Sequence, residues 1–386
     1  MPLEEQRVIP VTHIITGLNT GGAEIMLYKL LRAIDLQRFP SNVISLTEIG
    51  EIGGQIQSLG IPVVALGMNP GRIKFTNITH LTREIREANP TVVQTWMYHA
   101  DLLGGWSAKN AGKNFIAWNI RNSTLDWRKS KGTTLLTVWL CAVLSHFIPK
   151  RIVVCSQAAS LIHQKIGYAK EKMKVIPNGF DLSIFKPDKE AGRKLRQELN
   201  LDPEISIVGL AARFDEQKDH QTFIKSAGIV LKTMPEVHFF LCGEGITSEN
   251  HLLVQWLTET GAERNFHLLG RWTDMPEFHN ACDVAVSASA YGESFSNVLG
   301  EAMACGVPCV STRVGGAEEV LGETSRIVPP GDPLKLAEAI LDILKLPENF
   351  RMELGQQSRQ RMIENFDIFQ IAEAYMDFWK ELSNES

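Results

Sequence analysis

Short apolar runs rich in β-branched residues alternate along most of the chain with segments whose apolar residues recur at helical spacing. Continuous apolar runs are typical of strands buried on both faces of a parallel sheet. The pattern predicts strands at Val8–Thr16, Val43–Leu46, Pro62–Leu66, Val92–Thr95, Phe115–Asn119, Ile152–Cys155 and Val175–Pro177, and then at Ile205–Ala211, Val237–Leu241, His267–Leu269, Val284–Ser287 and Pro308–Ser311.

Helical spacing predicts helices at Ala23–Ile34, Ile78–Ala88, Asp219–Met234, Glu249–Thr260, Asn297–Cys305 and Pro333–Leu344, and a closing amphipathic helix at Asp367–Leu382. Strands that alternate with helices indicate doubly wound α/β domains with parallel sheets. The polar stretch Asp181–Glu204 is predicted to link two of them. We therefore expect domains at 1–182 and 183–364, facing each other across a cleft, and a separate last helix within 365–386.

Length and charge are consistent with this class of protein. The chain has 386 residues, enough for two or three domains of ~150 residues each. Its formal charge of −5 argues against a surface built to bind nucleic acid. Six cysteines without paired spacing predict reduced thiols in a cytoplasmic protein, not a zinc site or a disulfide framework. Met1–Gln6 contains two glutamates and no apolar core, so we expect no signal peptide.

The segment Thr133–Ile148 contains no Asp, Glu, Lys or Arg. It is shorter than the ~20 residues that span a bilayer, and His146 lies inside it. A buried helix is the favoured interpretation, and a membrane-surface helix is the alternative. The alternative depends on basic flanking residues, which favour anionic lipid: Arg128, Lys129, Lys131, Lys150 and Arg151.

The stretch Tyr291–Gly316 is the most informative one for candidate site residues. It contains Glu293 and Glu301, with seven residues between them. A loop leads into the predicted helix, whose cap and first turn are Ser296, Asn297 and Val298. The N–H groups of such a turn form an anion site, and the two carboxylates flank it, where they can accept hydrogen bonds from sugar hydroxyls. The alternative is an ordinary cap and a surface glutamate.

Cations and glycines follow other predicted strands, at the carboxyl ends where α/β sheets bind ligands. Arg213 and Lys218, after Ile205–Ala211, can neutralise a diphosphate leaving group, although two solvated loop charges would give the same pattern. Gly22 opens the first helix, and Gly243 lies in a second glycine turn. Both glycines permit close backbone approach to a ligand, or form plain turns between strand and helix.

His99 and Arg121 follow the strands Val92–Thr95 and Phe115–Asn119, again at carboxyl ends, where they are placed to meet a substrate. The sequence contains no HExxH, Cys/His cluster or Asp-x-Asp, so we expect no dedicated metal site. It also contains no GxGxxG and no GxSxG, so neither a dinucleotide fingerprint nor a nucleophile elbow is indicated.

Together these motifs resemble the family 4 retaining glycosyltransferases of the GT-B fold, also described as glycosyl transferase group 1. The resemblance covers nearly the whole chain and is carried by THIITGLNTGGAE, VIPNGFDLSIFKP, LAARFDEQKDHQTFIKSA, FHLLGRWTDMPEFHNACDVAVSAS and GESFSNVLGEAMACGVPCVSTRVGGAEEV. It implies two Rossmann-like domains, first an acceptor-side domain and then a nucleotide-sugar-binding domain. The closing helix would cross back to the first.

The resemblance implies roles for individual residues. Glu293 would hold hydroxyls of the donor sugar, and Glu301 the ribose of the nucleotide. Arg213 and Lys218 would bind the diphosphate. The other donor-binding residues would be Gly22, Gly243, Arg271 and the backbone amides at Ser296, Asn297 and Val298.

Two stretches depart from the family pattern. A first-domain histidine motif is replaced by Asn119-Ile120-Arg121, which shifts its role to Arg121 on the acceptor side and to His99. The usual Glu-Gly-Phe-Pro reads Glu-Ser-Phe-Ser from Glu293 onward, which changes the shape expected of that loop.

The resemblance implies a retaining, metal-independent transferase that moves a sugar from a UDP-, GDP- or ADP-sugar to a saccharide or lipid-linked acceptor. Bacterial surface-polysaccharide or lipopolysaccharide synthesis is the expected setting. No cofactor is expected besides the sugar nucleotide, and we expect a cytoplasmic protein with peripheral contact to the inner membrane face. A sugar-nucleotide epimerase on the same fold and a non-catalytic sugar-nucleotide binding protein remain alternatives.

Overall fold

The computed structural model describes residues 7–69, 75–122 and 132–385. The chain forms two compact units. We call Met1–Gly179 together with Ile368–Ser386 the N-terminal unit, and Phe180–Asp367 the C-terminal unit. The boundaries expected from the sequence lie after residues 182 and 364.

The N-terminal unit contains a seven-stranded parallel sheet. Its strands are β1 Val11–Ile15, β2 Ser41–Ser45, β3 Val63–Ala65, β4 Val92–Trp96, β5 Phe115–Ile120, β6 Arg151–Val154 and β7 Met173–Val175, in the spatial order β3-β2-β1-β4-β5-β6-β7. Every residue of β1 and β4 is buried, because helices cover both faces of the sheet at its centre. All seven strands were predicted, and the α/β class is confirmed.

Six helices of this unit follow its strands or lie between them. They are α1 Gly22–Ala33, α2 Gly50–Ser58, α3 Phe75–Ala88, α4 Tyr98–Asn110, α5 Gly132–Leu144 and α6 Gln157–Ile166. The pattern of apolar residues did not predict α2 by itself. This helix contains Gly50, Gly53 and Gly54, and glycine has a low helix propensity.

Helix α5 corrects the favoured interpretation of Thr133–Ile148. Within α5, Val138, Cys141 and Ala142 are buried, whereas the opposite face is exposed. Trp139 is 54% exposed, and Phe147, just beyond the helix, is 74% exposed. The segment is therefore not a buried helix but one with an apolar outer face. None of the described helices is long and apolar enough to cross a membrane.

The C-terminal unit contains a six-stranded parallel sheet. Its strands are β8 Ile207–Ala211, β9 His238–Cys242, β10 Phe266–Leu268, β11 Val284–Ser287, β12 Cys309–Thr312 and β13 Arg326–Val328, in the order β10-β9-β8-β11-β12-β13. The pattern analysis missed β13. This strand is a short edge strand that begins with an exposed arginine, so it lacks the apolar run of a central strand.

The helices of the C-terminal unit cover both faces of its sheet. They are α7 Lys189–Glu198, α8 His220–Thr233, α9 His251–Thr260, α10 Met275–Asn280, α11 Asn297–Ala304, α12 Ala317–Leu321, α13 Pro333–Leu344 and α14 Glu348–Asn365. Helix α7 lies inside the stretch predicted as a linker. Most of its residues are polar, but Gly192 and Leu195 are buried, and that narrow stripe packs against α10.

The last helix, α15 Ile368–Asn384, belongs to the N-terminal unit. Its apolar side joins the hydrophobic core under β1 and β4, where Tyr375 and Trp379 are fully buried. Trp379 Nε1 donates a hydrogen bond to Gln94 Oε1 at 2.8 Å, and Asn119 Nδ2 donates one to the Tyr375 hydroxyl at 3.0 Å. These bonds fix the helix against the sheet in one register.

Candidate active site

The strand order of the C-terminal unit creates a point where the direction of winding reverses. Strands β9 and β10 follow β8 on one side, and β11 lies on its other side. Ligands of doubly wound sheets bind beyond the carboxyl ends of the strands at such a switch point. Lys218 follows β8 and Glu293 follows β11, so the predicted donor residues lie at this point.

Lys218 and Glu293 form an ion pair, with Nζ and Oε2 2.7 Å apart. The Lys218 side chain is 22% exposed and that of Glu293 is 12% exposed. The Ser289 hydroxyl donates a second hydrogen bond to Glu293 Oε2 at 3.0 Å. A carboxylate so far removed from water needs such partners, and they hold its oxygens in one orientation.

Two glycines shape the loop that carries Glu293. Gly292 has φ +72°, and Gly315 has φ +56°. A Cβ atom on Gly315 would overlap the Glu293 carbonyl oxygen, and the neighbouring Gly316 donates its N–H to that oxygen at 3.1 Å. The Gln217 amide donates to the Gly292 carbonyl at 3.1 Å. The backbone around Glu293 is therefore fixed from two sides.

Ser296 stands at the N-cap position of α11, as predicted, but its side chain does not cap the helix. The alternative interpretation of Ser296 as an ordinary side-chain cap is therefore wrong. Ser296 instead lines a small cavity together with Lys218, Ser289 and Val298. The N–H groups of a first helical turn lack partners within the helix and lie at the positive end of its dipole. A cation and a helix N-terminus thus border one cavity, which is the arrangement that binds phosphate.

Arg213 lies in the loop after β8 and is 61% exposed. Its Nε atom lies 3.6 Å from Asp215 Oδ2, which is a loose contact. Gly243, with φ +143°, packs against this loop so closely that a Cβ atom would overlap the Ala212 carbonyl oxygen. In this structure Gly243 therefore allows the loops after β8 and β9 to meet. Arg271, exposed after β10, lies at the edge of the same sheet.

Glu301 lies one turn into α11, and its side chain is 14% exposed. Its surroundings are poorly hydrated. The pKa of the Cys242 thiol and that of the Cys305 thiol are both raised to about 12, first by burial and then by the charge of Glu301. His279 Nε2 lies 3.8 Å from Glu301 Oε2. Sequence analysis gave no role to this histidine.

The N-terminal unit has its own switch point, between β1 and β4. Gly21 and Gly22 follow β1, and His99 follows β4 at the beginning of α4. Met97, between β4 and α4, has φ +74°, a strained conformation for a residue with a side chain. His99 is partly buried, and this burial lowers the pKa of its imidazole, which favours the neutral, proton-accepting form.

Gly21 and Gly22 do not leave the start of α1 open. The Glu24 side chain folds back so that its carboxylate lies over Gly21. Burial raises the pKa of Glu24, and the nearby backbone N–H groups of Glu24 and Ala23 oppose this by lowering it. A carboxylate of the chain itself thus occupies part of this helix N-terminus.

Arg121 is partly buried and is held by its own unit. Its guanidinium donates to the side chains of Asn119, Asn178 and Tyr375. It also lies 5.6 Å from the centre of the Trp96 ring. Burial lowers its pKa to about 10, so it remains charged at neutral pH. These contacts give Arg121 a structural task, which is to join the end of β5 to helix α15.

Two family models match the two halves of the chain. Residues 20–184 match the model described as Glycosyltransferase Family 4, and residues 205–346 match the model described as Glycosyl transferases group 1. The chain belongs to glycosyltransferase family 4. The family predicted from the sequence motifs is therefore confirmed, and the glycosyltransferase has its Glu-x7-Glu block at the switch point of the C-terminal unit.

Several proteins are similar in sequence to this glycosyltransferase. EpsF of Bacillus subtilis is 25% identical over 318 residues, which is 78% of each protein. The UDP-Gal:alpha-D-GlcNAc-diphosphoundecaprenol alpha-1,3-galactosyltransferase of Escherichia coli is 23% identical over 242 residues, and the match spans 62% of each chain.

Solved structures share the fold of the glycosyltransferase. Anabaena Alr3699/HepE in complex with UDP has a TM-score of 0.85 at 22% identity, covering 97% of this chain and all (100%) of that one. The lipopolysaccharide outer core galactosyltransferase WaaB has a TM-score of 0.71 at 13% identity, covering 97% and 100%. At these identities the likeness establishes the GT-B fold.

Sequence analysis missed three residues of the candidate site in the C-terminal unit. Ser289 bonds to Glu293, Gly315 lies against the Glu293 backbone, and His279 faces Glu301. The Gly-Gly pair after β12 was a visible signal for Gly315, whereas no local pattern marks Ser289 or His279. Within the described residues, no three His, Cys, Asp or Glu side chains are placed to hold a metal ion.

Proposed function

We propose that this glycosyltransferase transfers a sugar from a nucleotide-diphosphate sugar to a lipid-linked saccharide acceptor, with retention of anomeric configuration and without a metal ion. The observation that carries the proposal is the site around Lys218 and Glu293. There a cation and a helix N-terminus border one cavity, and a fixed carboxylate pairs with that cation. The carboxylate suits sugar hydroxyls, and the cation and helix suit phosphate.

The chemistry assigned to these residues is electrostatic. As the bond between the sugar and the diphosphate breaks, negative charge grows on the leaving phosphate. Lys218 and the N–H groups of α11 stabilise this charge, and groups fixed in advance do so without reorganising. Arg213 is exposed and loosely held, which suits a side chain that closes on the diphosphate when the donor binds.

We propose retention of the anomeric configuration because the chain belongs to this family and because the Glu293 carboxylate already accepts hydrogen bonds. Both Lys218 and Ser289 donate to Glu293, so this carboxylate is engaged as an acceptor of hydrogen bonds. We assign it to the donor sugar's hydroxyls. The acceptor then attacks the face that the diphosphate leaves, and the leaving phosphate takes the acceptor proton as the new glycosidic bond forms.

The lipid-linked acceptor is proposed from the name of the E. coli relative and from the surface of the N-terminal unit. That relative is named for an acceptor on diphosphoundecaprenol. Leu136, Trp139, Val143 and Phe147 expose an apolar surface at and just after α5. Residues 102–170 contain ten Lys and Arg and one Asp, a net +9 (10 − 1) in a chain of net −5. Apolar and cationic groups together favour anionic membranes.

A donor panel tests the function directly. Purified protein is incubated with UDP-, GDP- and ADP-sugars, and thermal unfolding is measured. At ~100 times its dissociation constant the true donor should add about 2.7 kcal/mol of stability. The donor so identified is then incubated with polyprenyl-diphosphate saccharides, and product anomers are assigned by NMR. An inverted product would contradict retention, and a free epimer formed without acceptor would indicate an epimerase.

We expect turnover to survive chelation. The diphosphate has Lys218, Arg213 and the helix N-terminus as partners, and these supply the charge that a divalent cation would otherwise provide. Initial rates are measured with EDTA in excess over the divalent cations of the assay, which removes an ion held weakly by oxygen ligands. Complete loss of activity that Mg²⁺ or Mn²⁺ restores would refute metal independence.

The apolar face of α5 should bind anionic vesicles. Replacing Trp139 or Phe147 by serine should weaken binding about tenfold each, because burying a large apolar side chain contributes ~1.5–3 kcal/mol. Leu252→Ser, at a similarly exposed position (47%) in α9 of the C-terminal unit, is the matched control. Sedimentation is measured at low and high salt. Of the basic residues expected to flank this helix, Lys150 and Arg151 belong to the part of the chain that the structure describes. Arg128, Lys129 and Lys131 lie outside the described residues. Equal binding by all variants would contradict this surface.

A further inference from the structure

His279 is a buried histidine beside the site. It lies on α10, which packs against α11, and its side chain is fully buried. Neither ring nitrogen has a hydrogen-bond partner. The Nε2 atom faces the Glu301 carboxylate at 3.8 Å, which is longer than a hydrogen bond.

The burial of the His279 imidazole without a hydrogen-bond partner calls for an explanation. Burying an imidazole without partners is unfavourable, and most buried polar groups in proteins are bonded. Two aromatic rings lie beside it, that of Phe278 edge-on at 5.5 Å and that of Phe185 at 6.5 Å. An apolar residue of similar size would fill this space without the penalty. What His279 offers beyond an apolar residue is a polar atom directed at Glu301.

We propose that His279 is a positioning residue for nucleotide binding, whose Nε2–H holds Glu301 in the orientation that accepts the ribose hydroxyls of the donor. The proposal rests on the proposed function, since it requires a nucleotide donor. Hydrogen bonds in ligand-free sites are often long and shorten in the complex. Donor binding therefore closes the 3.8 Å gap to a hydrogen bond, which compensates the buried imidazole.

The position of the donor atom distinguishes this role from core filling. In His279→Gln the amide nitrogen reaches the place of Nε2, whereas in His279→Asn it reaches only the place of Nδ1. His279→Phe keeps a planar ring and removes both nitrogens. If His279 only fills space, asparagine and glutamine should behave alike, and all three variants should alter stability without altering nucleotide affinity.

The test combines these variants with Glu301→Gln in a double-mutant cycle. The donor selected by the panel, and its nucleoside diphosphate, are the probes, with affinity measured by calorimetry and kcat and KM by initial rates. His279→Phe and His279→Asn should weaken nucleotide binding and raise donor KM roughly tenfold, equivalent to about 1.4 kcal/mol, with kcat within about twofold. His279→Gln should stay within about threefold of wild type. In the Glu301→Gln background, His279→Phe should add less than about twofold.

The outcomes separate the two proposals. If wild-type protein binds none of the sugar nucleotides, the proposed function fails. If wild-type protein binds one, but His279→Phe has the same effect with Glu301 and with Gln at that position, the positioning role alone is refuted. Equal affinities of the asparagine and glutamine variants would also refute it. Should His279→Phe fail to fold, the contrast between asparagine and glutamine still decides.

Discussion

Lys218→Ala should lower kcat by about a hundred- to a thousandfold, the range found when one fixed donor to a developing negative charge is removed. Lys218 is held at the switch point by Glu293 at 2.7 Å and borders the cavity with the N-terminus of α11. Its charge acts on the phosphate as the sugar departs, so its loss is felt mainly in the transition state. Donor KM should change much less than kcat.

The same substitution should also reduce stability, because it leaves the mostly buried Glu293 carboxylate without its cation. We expect a loss of about 1–3 kcal/mol, which a domain of ordinary stability tolerates. Arg213→Ala should likewise cost far more in turnover than in folding, because Arg213 is exposed and contacts Asp215 only loosely. Lys225→Ala, at an exposed lysine on helix α8, which begins two residues after Lys218, is the control and should leave both properties unchanged.

Steady-state kinetics and thermal unfolding on the three variants test this expectation. Lys218→Arg adds a useful comparison, since it keeps the charge but replaces a point charge by a planar fork, and it should recover part of the turnover. Near-normal activity of Lys218→Ala with a confirmed donor would show that the Lys218–Glu293 pair is a structural contact without a role in transfer.

Glu293→Gln and Glu301→Gln should separate kcat from KM. Glu293 is assigned to the donor sugar, where charge changes during transfer, and Glu301 to the ribose, far from the bond that breaks. A hydrogen bond to a charged group contributes ~1.5–3 kcal/mol, so each loss should be about ten- to a hundredfold. The loss should appear in kcat for Glu293→Gln and in donor KM for Glu301→Gln.

Glutamine is the informative replacement at both positions because it keeps the size of the side chain. At position 293 its amide oxygen can still accept from Lys218 and Ser289, so the loop should stay folded. Initial rates over a range of donor concentrations give both parameters. The assignment is reversed if Glu301→Gln collapses kcat at unchanged donor KM while Glu293→Gln leaves kcat intact.

The α/β class and most of the elements were predictable from the sequence. Strand β8, for example, is buried along its whole length, and its sequence Ile-Val-Gly-Leu-Ala is a continuous run without a polar side chain. Helices α13 and α15 were predicted because an apolar stripe recurs at helical spacing. Where burial is partial the signal weakens: edge strand β13 was missed, and polar α7 was taken for a linker.

The family and the candidate site residues were also predictable from the sequence, because the Glu-x7-Glu block and its glycines lie close together in the chain. The tertiary structure alone decided which of these residues meet. Lys218 and Glu293 are 75 residues apart, and they pair because strand β11 lies beside β8. The exposed face of α5 and the approach of His279 to Glu301 likewise depend on which neighbours pack against each helix. Strand order and helix packing result from contacts between residues that are distant in the sequence. A local pattern of residues therefore does not predict them.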